Sequence, residues 1–191
     1  MEEGERRDVP RSEELTGYRV QAVRRGPFTL VGYTRIYRPV EEPGPPAFWD
    51  EVLADGRLAG LVGASPVPPW VFGLGSWDPA CPKGGHRHTI SIEETPDLDP
   101  ARLAALEPLF RKEIGASDWL CFAMPRAAYP ERFWQDDPYR MLKALGYRFH
   151  TGKGDFSVGL HLDAFPPGSD VATGPSMEFW ITVIPITVIA T

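Results

Sequence analysis

The chain holds only two cysteines in 191 residues, Cys81 and Cys121, far apart and in no metal-binding or redox spacing. Such a chain is not stapled by disulfides, and a reducing cytoplasm suits it. A long hydrophobic run is missing too: the closing stretch FWITVIPITVIA is too short to span a bilayer and is interrupted by Pro185, so it reads as a buried strand. Residues 2 to 14 are charged with no apolar core, which excludes a conventional signal peptide. There is no excess of basic residues. With 20 Lys and Arg against 26 Asp and Glu the net charge is −6, and neutralising phosphates requires clustered cations, so the composition argues against a nucleic-acid partner. It slightly favours cationic small molecules. No basic helix-turn-helix pattern precedes Tyr18. The sequence GLGS at 73–76 lacks the following Lys and helix of a phosphate loop, and no serine sits in a nucleophile-elbow signature.

Proline and glycine, by contrast, are plentiful at 21 and 19, which predicts many turns and short elements. The length allows one well-filled core, or two small modules sharing one. Residues 1–16 mix both charges with little to bury and predict a disordered leader. Between Tyr18 and Tyr37, β-branched and aromatic residues predict two strands broken at Gly26-Pro27, with Gly32 marking a bulge or a close backbone approach. A proline-rich link at 39–46 leads into an amphipathic helix with Phe48, Trp49, Val52 and Leu53 on one face. Two strands follow, one carrying WVFGLGSWD and the other HRHTISIEE. Asp99 and Pro100 then open a connector helix over about 99–114, with Pro108 as a kink. A buried strand is predicted at 119–124, then an aromatic and acidic loop. A helix over 138–145 has Asp136 or Asp137 as its cap, Pro138 in its first turn and Gly146 at its stop. The stretch DFSVGLHLDAF alternates as a strand, and MEFWITVIP closes the fold.

The order strand, helix, strand, strand is therefore used twice. This predicts an α+β fold of two such units in a pseudo-twofold arrangement, helices outside and a ligand cleft between. On these residues the chain resembles the GyrI-like (gyrase-inhibitor-like) small-molecule-binding family, also found as effector-binding domains of AraC-type and MerR-type multidrug regulators. The resemblance is carried by Val31-Gly32, Phe48-Trp49, Phe72-Gly73-Leu74, Leu145-Gly146-Tyr147 and Ile184-Pro185, in order across about residues 18–185. It implies a single domain over 17–187, with units at about 17–96 and 116–187. It also implies a stand-alone protein that binds and sequesters lipophilic, cationic, aromatic compounds by stacked rings and a buried glutamate, with no cofactor, metal or membrane role. In the family pattern that acid sits on the strand corresponding to DFSVGLHLDAF, where Gly159 and His161 stand here. Glu178, on the next strand, is the replacement candidate.

Strand alternation puts Glu178 and Trp180 on one face of the closing strand, and a carboxylate beside an indole suits a delocalised cation; the alternative is an acid at a sheet rim and a packed ring. Phe133 and Trp134 are candidates for an aromatic wall. His161, Tyr139, Tyr33, Phe72 and Trp77 complete the candidate ligand contacts, with core packing as the other reading of each aromatic. His86-x-His88 could chelate a metal, but no further ligands stand at suitable spacing. Two other activities remain open. One is a hydrolase opening cyclopropane rings of DNA-alkylating compounds in the same pocket, as the resemblance implies for some members. The other is a protein-interaction inhibitor acting through its acidic surface.

Overall fold

The computed structural model describes residues 4–38, 44–77 and 79–186. Most of the proline-rich link, Asp78 and residues 187–191 lie outside the described residues, as do the first three residues of the leader. Among the described residues, ten strands form one antiparallel sheet, and six α-helices accompany it. No helix is long and apolar enough to cross a membrane.

The first repeat runs through β2 (Arg19–Arg25), β3 (Phe28–Tyr37), α2 (Pro45–Ala54), α3 (Arg57–Gly63), β4 (Val71–Ser76) and β5 (His86–Glu93). The second runs through β6 (Phe110–Ile114), β7 (Ser117–Pro125), α5 (Glu131–Gln135), α6 (Pro138–Ala144), the short β8 (Tyr147–Phe149), β9 (His161–Phe165) and β10 (Ser176–Pro185). The strand order β2-β7-β10-β9-β4-β5-β3-β6 reads the same from either end once each strand is exchanged for its counterpart. That is the pseudo-twofold arrangement. Each unit lends its first strand to the other: β2 pairs with β7 and β6 with β3. The units meet where β4 and β9 pair edge to edge, with Gly73 opposite Asp163 and Gly75 opposite His161. Because this junction makes one continuous sheet, both sets of helices lie on the same face, and the cleft opens between them rather than between two sheets.

Alternation assigns the two faces. On β10, Met177, Phe179, Ile181 and Val183 join the core beneath the helices, while Trp180 joins a second cluster with Trp70, Phe72, Trp119 and Leu162 on the opposite face. Burying Phe179 on one face or Phe72 on the other contributes about 2–3 kcal/mol, so each face carries a core of its own.

Several local expectations differ from the structure. The segment read as a disordered leader contains β1 (Arg6–Asp8), paired with β2, and α1 (Ser12–Thr16). What it buries is modest; what anchors it is the strand pairing and the Arg6 side chain described below. The single helix after the proline-rich link is broken at Gly56, whose φ of 78° is left-handed. The connector is helical only as α4 (Pro100–Ala105), capped by Asp99, whose carboxylate accepts from the Ala101 and Arg102 amides. Pro108 cannot donate to a continuing helix, and the remaining residues become β6. The strand read into DFSVGLHLDAF begins only at His161, because Gly159 turns the chain with φ 75°.

Candidate functional site

A cleft of about 400 Å³ lies over the β4–β9 junction. Its floor is made by His161 and Asp163, whose side chains lie close over β4 because Gly73 and Gly75 carry none of their own. A Cβ on Gly75 would stand 2.5 Å from His161 Nε2, and one on Gly73 would stand 2.8 Å from the Trp49 ring and 3.0 Å from Asp163 Oδ2. Helix α2 brings Trp49 to one wall, where its ring meets Phe165 edge-on at 5.4 Å and His88 at 6.2 Å. The segment after β7 supplies the other wall, Arg126, Tyr129 and Trp134. Trp134 stands edge-on to His161 at 6.0 Å, and His161 is stacked on Phe179 at 5.5 Å.

Asp163 is the buried acid of this site, and the exposed Asp50 also lines the cleft. Asp163 is 8% exposed and accepts a hydrogen bond from the Tyr129 hydroxyl. Burial pushes its carboxyl up to about 6, against the opposing pull of the Tyr129 hydrogen bond and the Arg126 charge. Tyr129 is itself raised, first by burial and then by the Asp163 charge. Burial drives His161 down to about 4 and His88 down to about 3, so both imidazoles are neutral at pH 7. His88 Nε2, His161 Nδ1 and Arg126 Nε are buried without a hydrogen-bond partner among the described residues. The site thus combines flat aromatic walls, a carboxylate held away from water, and neutral imidazoles. It can stack a planar group and neutralise a positive charge. His86 and His88 both line the cleft, but among the described residues no group of three or more His, Cys, Asp or Glu is arranged to hold a metal ion.

The residues predicted from sequence are distributed unevenly about this cleft. His161 and Trp134 line it, and Trp77, half exposed, meets His161 edge-on at 5.9 Å. Phe133 is not a wall: the segment read as a loop is α5, and Phe133 is fully buried beneath it against Tyr18, Phe122 and Phe179. Tyr33 is core, under the Arg57 guanidinium. Tyr139 packs on Phe149, away from the cleft. Glu178, Trp180 and Phe72 lie on the opposite face of the sheet. There Glu178 accepts from Arg6 Nη1 at 2.8 and 3.0 Å and from Trp180 Nε1 at 2.6 Å. Phe72 stands edge-on to Trp180 at 5.6 Å.

Asp163, Tyr129, Arg126, Trp49, His86 and His88 were not among the predicted contacts. The signal for Asp163 was present, since His161 and Asp163 alternate together on one strand face. It was passed over because the strand was read as starting before Gly159, and the search for an acid on it stopped at Gly159 and His161.

No protein-family profile matches the chain, and no curated protein matches it either. Solved structures do. SAV2435 bound to tetraphenylphosphonium is similar with a TM-score of 0.60 at 15% identity, over 86% of this chain and 93% of that one. A putative transcription regulation protein from Staphylococcus aureus gives 0.54 at 15% identity, over 86% and 97%. The C-terminal domain of EcmrR gives 0.52 at 11% identity, over 88% and 98%. At such identities the likeness is one of fold.

Proposed function

We propose, from the GyrI-like fold that this chain has, that it binds hydrophobic, cationic, aromatic small molecules in the cleft over β4 and β9 and acts in the cytoplasm by sequestering them. One observation carries this reading: Asp163, a buried carboxyl at the floor of an aromatic-walled cleft, receives a hydroxyl hydrogen bond but no ion pair among the described residues. A buried charge without a counter-ion is costly, and a bound cation between Trp49 and Trp134 would neutralise it while stacking on the rings. The tetraphenylphosphonium bound to SAV2435 is a lipophilic cation of this class.

Trp49 and Trp134 report the event. A lipophilic cationic dye is expected to quench tryptophan fluorescence. Asp163→Asn is expected to weaken it about tenfold or more, a change of about 1.4 kcal/mol per decade. Glu178→Gln is expected to leave the affinity within about twofold. Equal binding by the parent and Asp163→Asn would remove the acid from the site. A carboxyl that titrates near 6 also suits acid or base chemistry close to neutral pH. Mass spectrometry of a cyclopropane-containing alkylator after incubation tests the hydrolase reading, and recovery of unaltered compound rejects it for that substrate.

A further inference from the structure

Arg126 has poor company. Among the described residues its Nε is buried without a partner, its Nη1 reaches the Met177 sulfur at 3.9 Å, and its guanidinium lies 5.4 Å from the Phe165 ring centre. A thioether is a weak acceptor, and a buried donor left unsatisfied costs about 1–3 kcal/mol, more when charged. Asp163 lies in the same cleft, near enough to feel the Arg126 charge. Yet the hydrogen bond that Asp163 accepts comes from Tyr129. The cleft therefore presents an acid and a guanidinium that face one space without satisfying each other. His88 Nε2 and His161 Nδ1, also buried and unpartnered, add neutral polar atoms beside them.

A purely lipophilic cation would neutralise Asp163 but would place a second positive charge beside Arg126 and offer it no acceptor. We propose that the cleft selects amphoteric aromatic compounds: a planar cationic body held by Asp163 and the indoles, carrying a carboxylate or phenolate oxygen that accepts from Arg126. This rests on the binding function proposed above and narrows its ligand class. It makes Arg126 a specificity-determining residue, because a site built to hydrogen-bond a ligand group rejects an analogue lacking it more strongly than apolar contacts can.

Two dyes with one aromatic body separate the cases. Tetramethylrhodamine carries a carboxylate on the phenyl ring attached to its xanthylium, and tetramethylrosamine has the same phenyl ring without it. The parent protein, followed by tryptophan quenching, is expected to bind the rhodamine about tenfold or more tighter than the rosamine. Arg126→Gln is expected to bring that ratio to about one, and Arg126→Lys, which keeps the charge, to hold it above one. Thermal melts of both variants show that each is folded. If the parent binds the rosamine as tightly as the rhodamine, the amphoteric preference is overturned and the cation-binding reading stands; if Arg126→Gln and Arg126→Lys both leave a tenfold ratio unchanged, the assignment of that preference to Arg126 is overturned. Failure of both dyes to bind overturns the two together.

Discussion

Asp163 and Glu178 stand on neighbouring strands with their side chains on opposite faces of the sheet, Asp163 paired in register with Phe179, the residue after Glu178. On the Glu178 face, Arg6 stands over the neighbouring rings of Trp70 and Trp180, 5.3 and 5.2 Å from their centres. Glu178 neutralises it and also takes the Trp180 indole N–H. A second pair, Arg25 with Glu93 at 2.9 Å, repeats the theme, with the Arg25 guanidinium 4.0 Å over Phe28. Here a delocalised cation already sits among indoles beside a carboxylate, and it belongs to the protein. On the Asp163 face the same kinds of groups converge, but the acid and the guanidinium make no hydrogen bond to each other, and the glycines of β4 let Asp163 and His161 lie close to the backbone beneath the cleft. One face is a closed core whose arginines are paired with carboxylates from within, with Arg25 Nη1 and the Trp119 indole N–H left without a partner among the described residues. The other holds unsatisfied charge around a hollow, the usual trade of stability for function.

That contrast can be broken by substitution. The largest effect is expected from Trp180→Ala, which empties a fully packed position on the closed face: about 3–5 kcal/mol of stability, or on the order of 10 °C in melting temperature for a chain of this size, with dye affinity retained in the folded protein. Loss of binding without loss of stability would reverse the assignment of the two faces.

Next in size is a pH-dependent effect at Asp163. Its carboxyl lies at about 6 when folded against 3.8 ordinarily. The folded state therefore binds the extra proton between those values, and stability falls as pH rises through that window. Above pH 6 the cost is on the order of 2–3 kcal/mol. Asp163→Asn removes it, so the variant is expected to melt several degrees above the parent at pH 8, with the gap closing near pH 4. The neighbouring Arg126, Tyr129, His161, His88 and His86 are common to both proteins and cancel in the difference. Cationic dye affinity in the parent is expected to fall as pH drops through 6. Melting curves that keep a constant offset across pH would contradict the buried-carboxyl account.

Gly75→Ala is expected to act least. Its methyl would meet the His161 imidazole at 2.5 Å, forcing the ring into the cleft, so dye affinity should drop severalfold with a stability change of about 1 kcal/mol. Unchanged dye affinity would mean that ligands do not reach the floor.

Features set by neighbours in the chain were legible from the residues. Asp99-Pro100 and Asp137-Pro138 open α4 and α6 as their side chains predict, with Asp137 accepting from the Arg140 amide at 3.2 Å. Gly146 sits just past α6 with φ 84°. The doubled order of elements was readable for the same reason. Helix α5 was not, because five residues between prolines carry too little period to distinguish a helix from a loop. The exchange of β2 and β6 between units was also invisible, since strand pairing across the chain leaves no local mark.

By itself, then, the sequence determined which side chains travel together: Glu178 with Trp180, His161 with Asp163, Phe179 with Met177 and Ile181, because a strand repeats every two residues. It also identified a chemistry, a carboxylate beside an indole holding a delocalised cation, that the protein does contain. Only the tertiary structure decided which face received the helices and the hollow. It brought Arg6 to Glu178 across 172 positions of chain, satisfying the one acid from within. Asp163 was left without an ion pair among the described residues, lying close over Gly73, where the β4–β9 junction places no side chain.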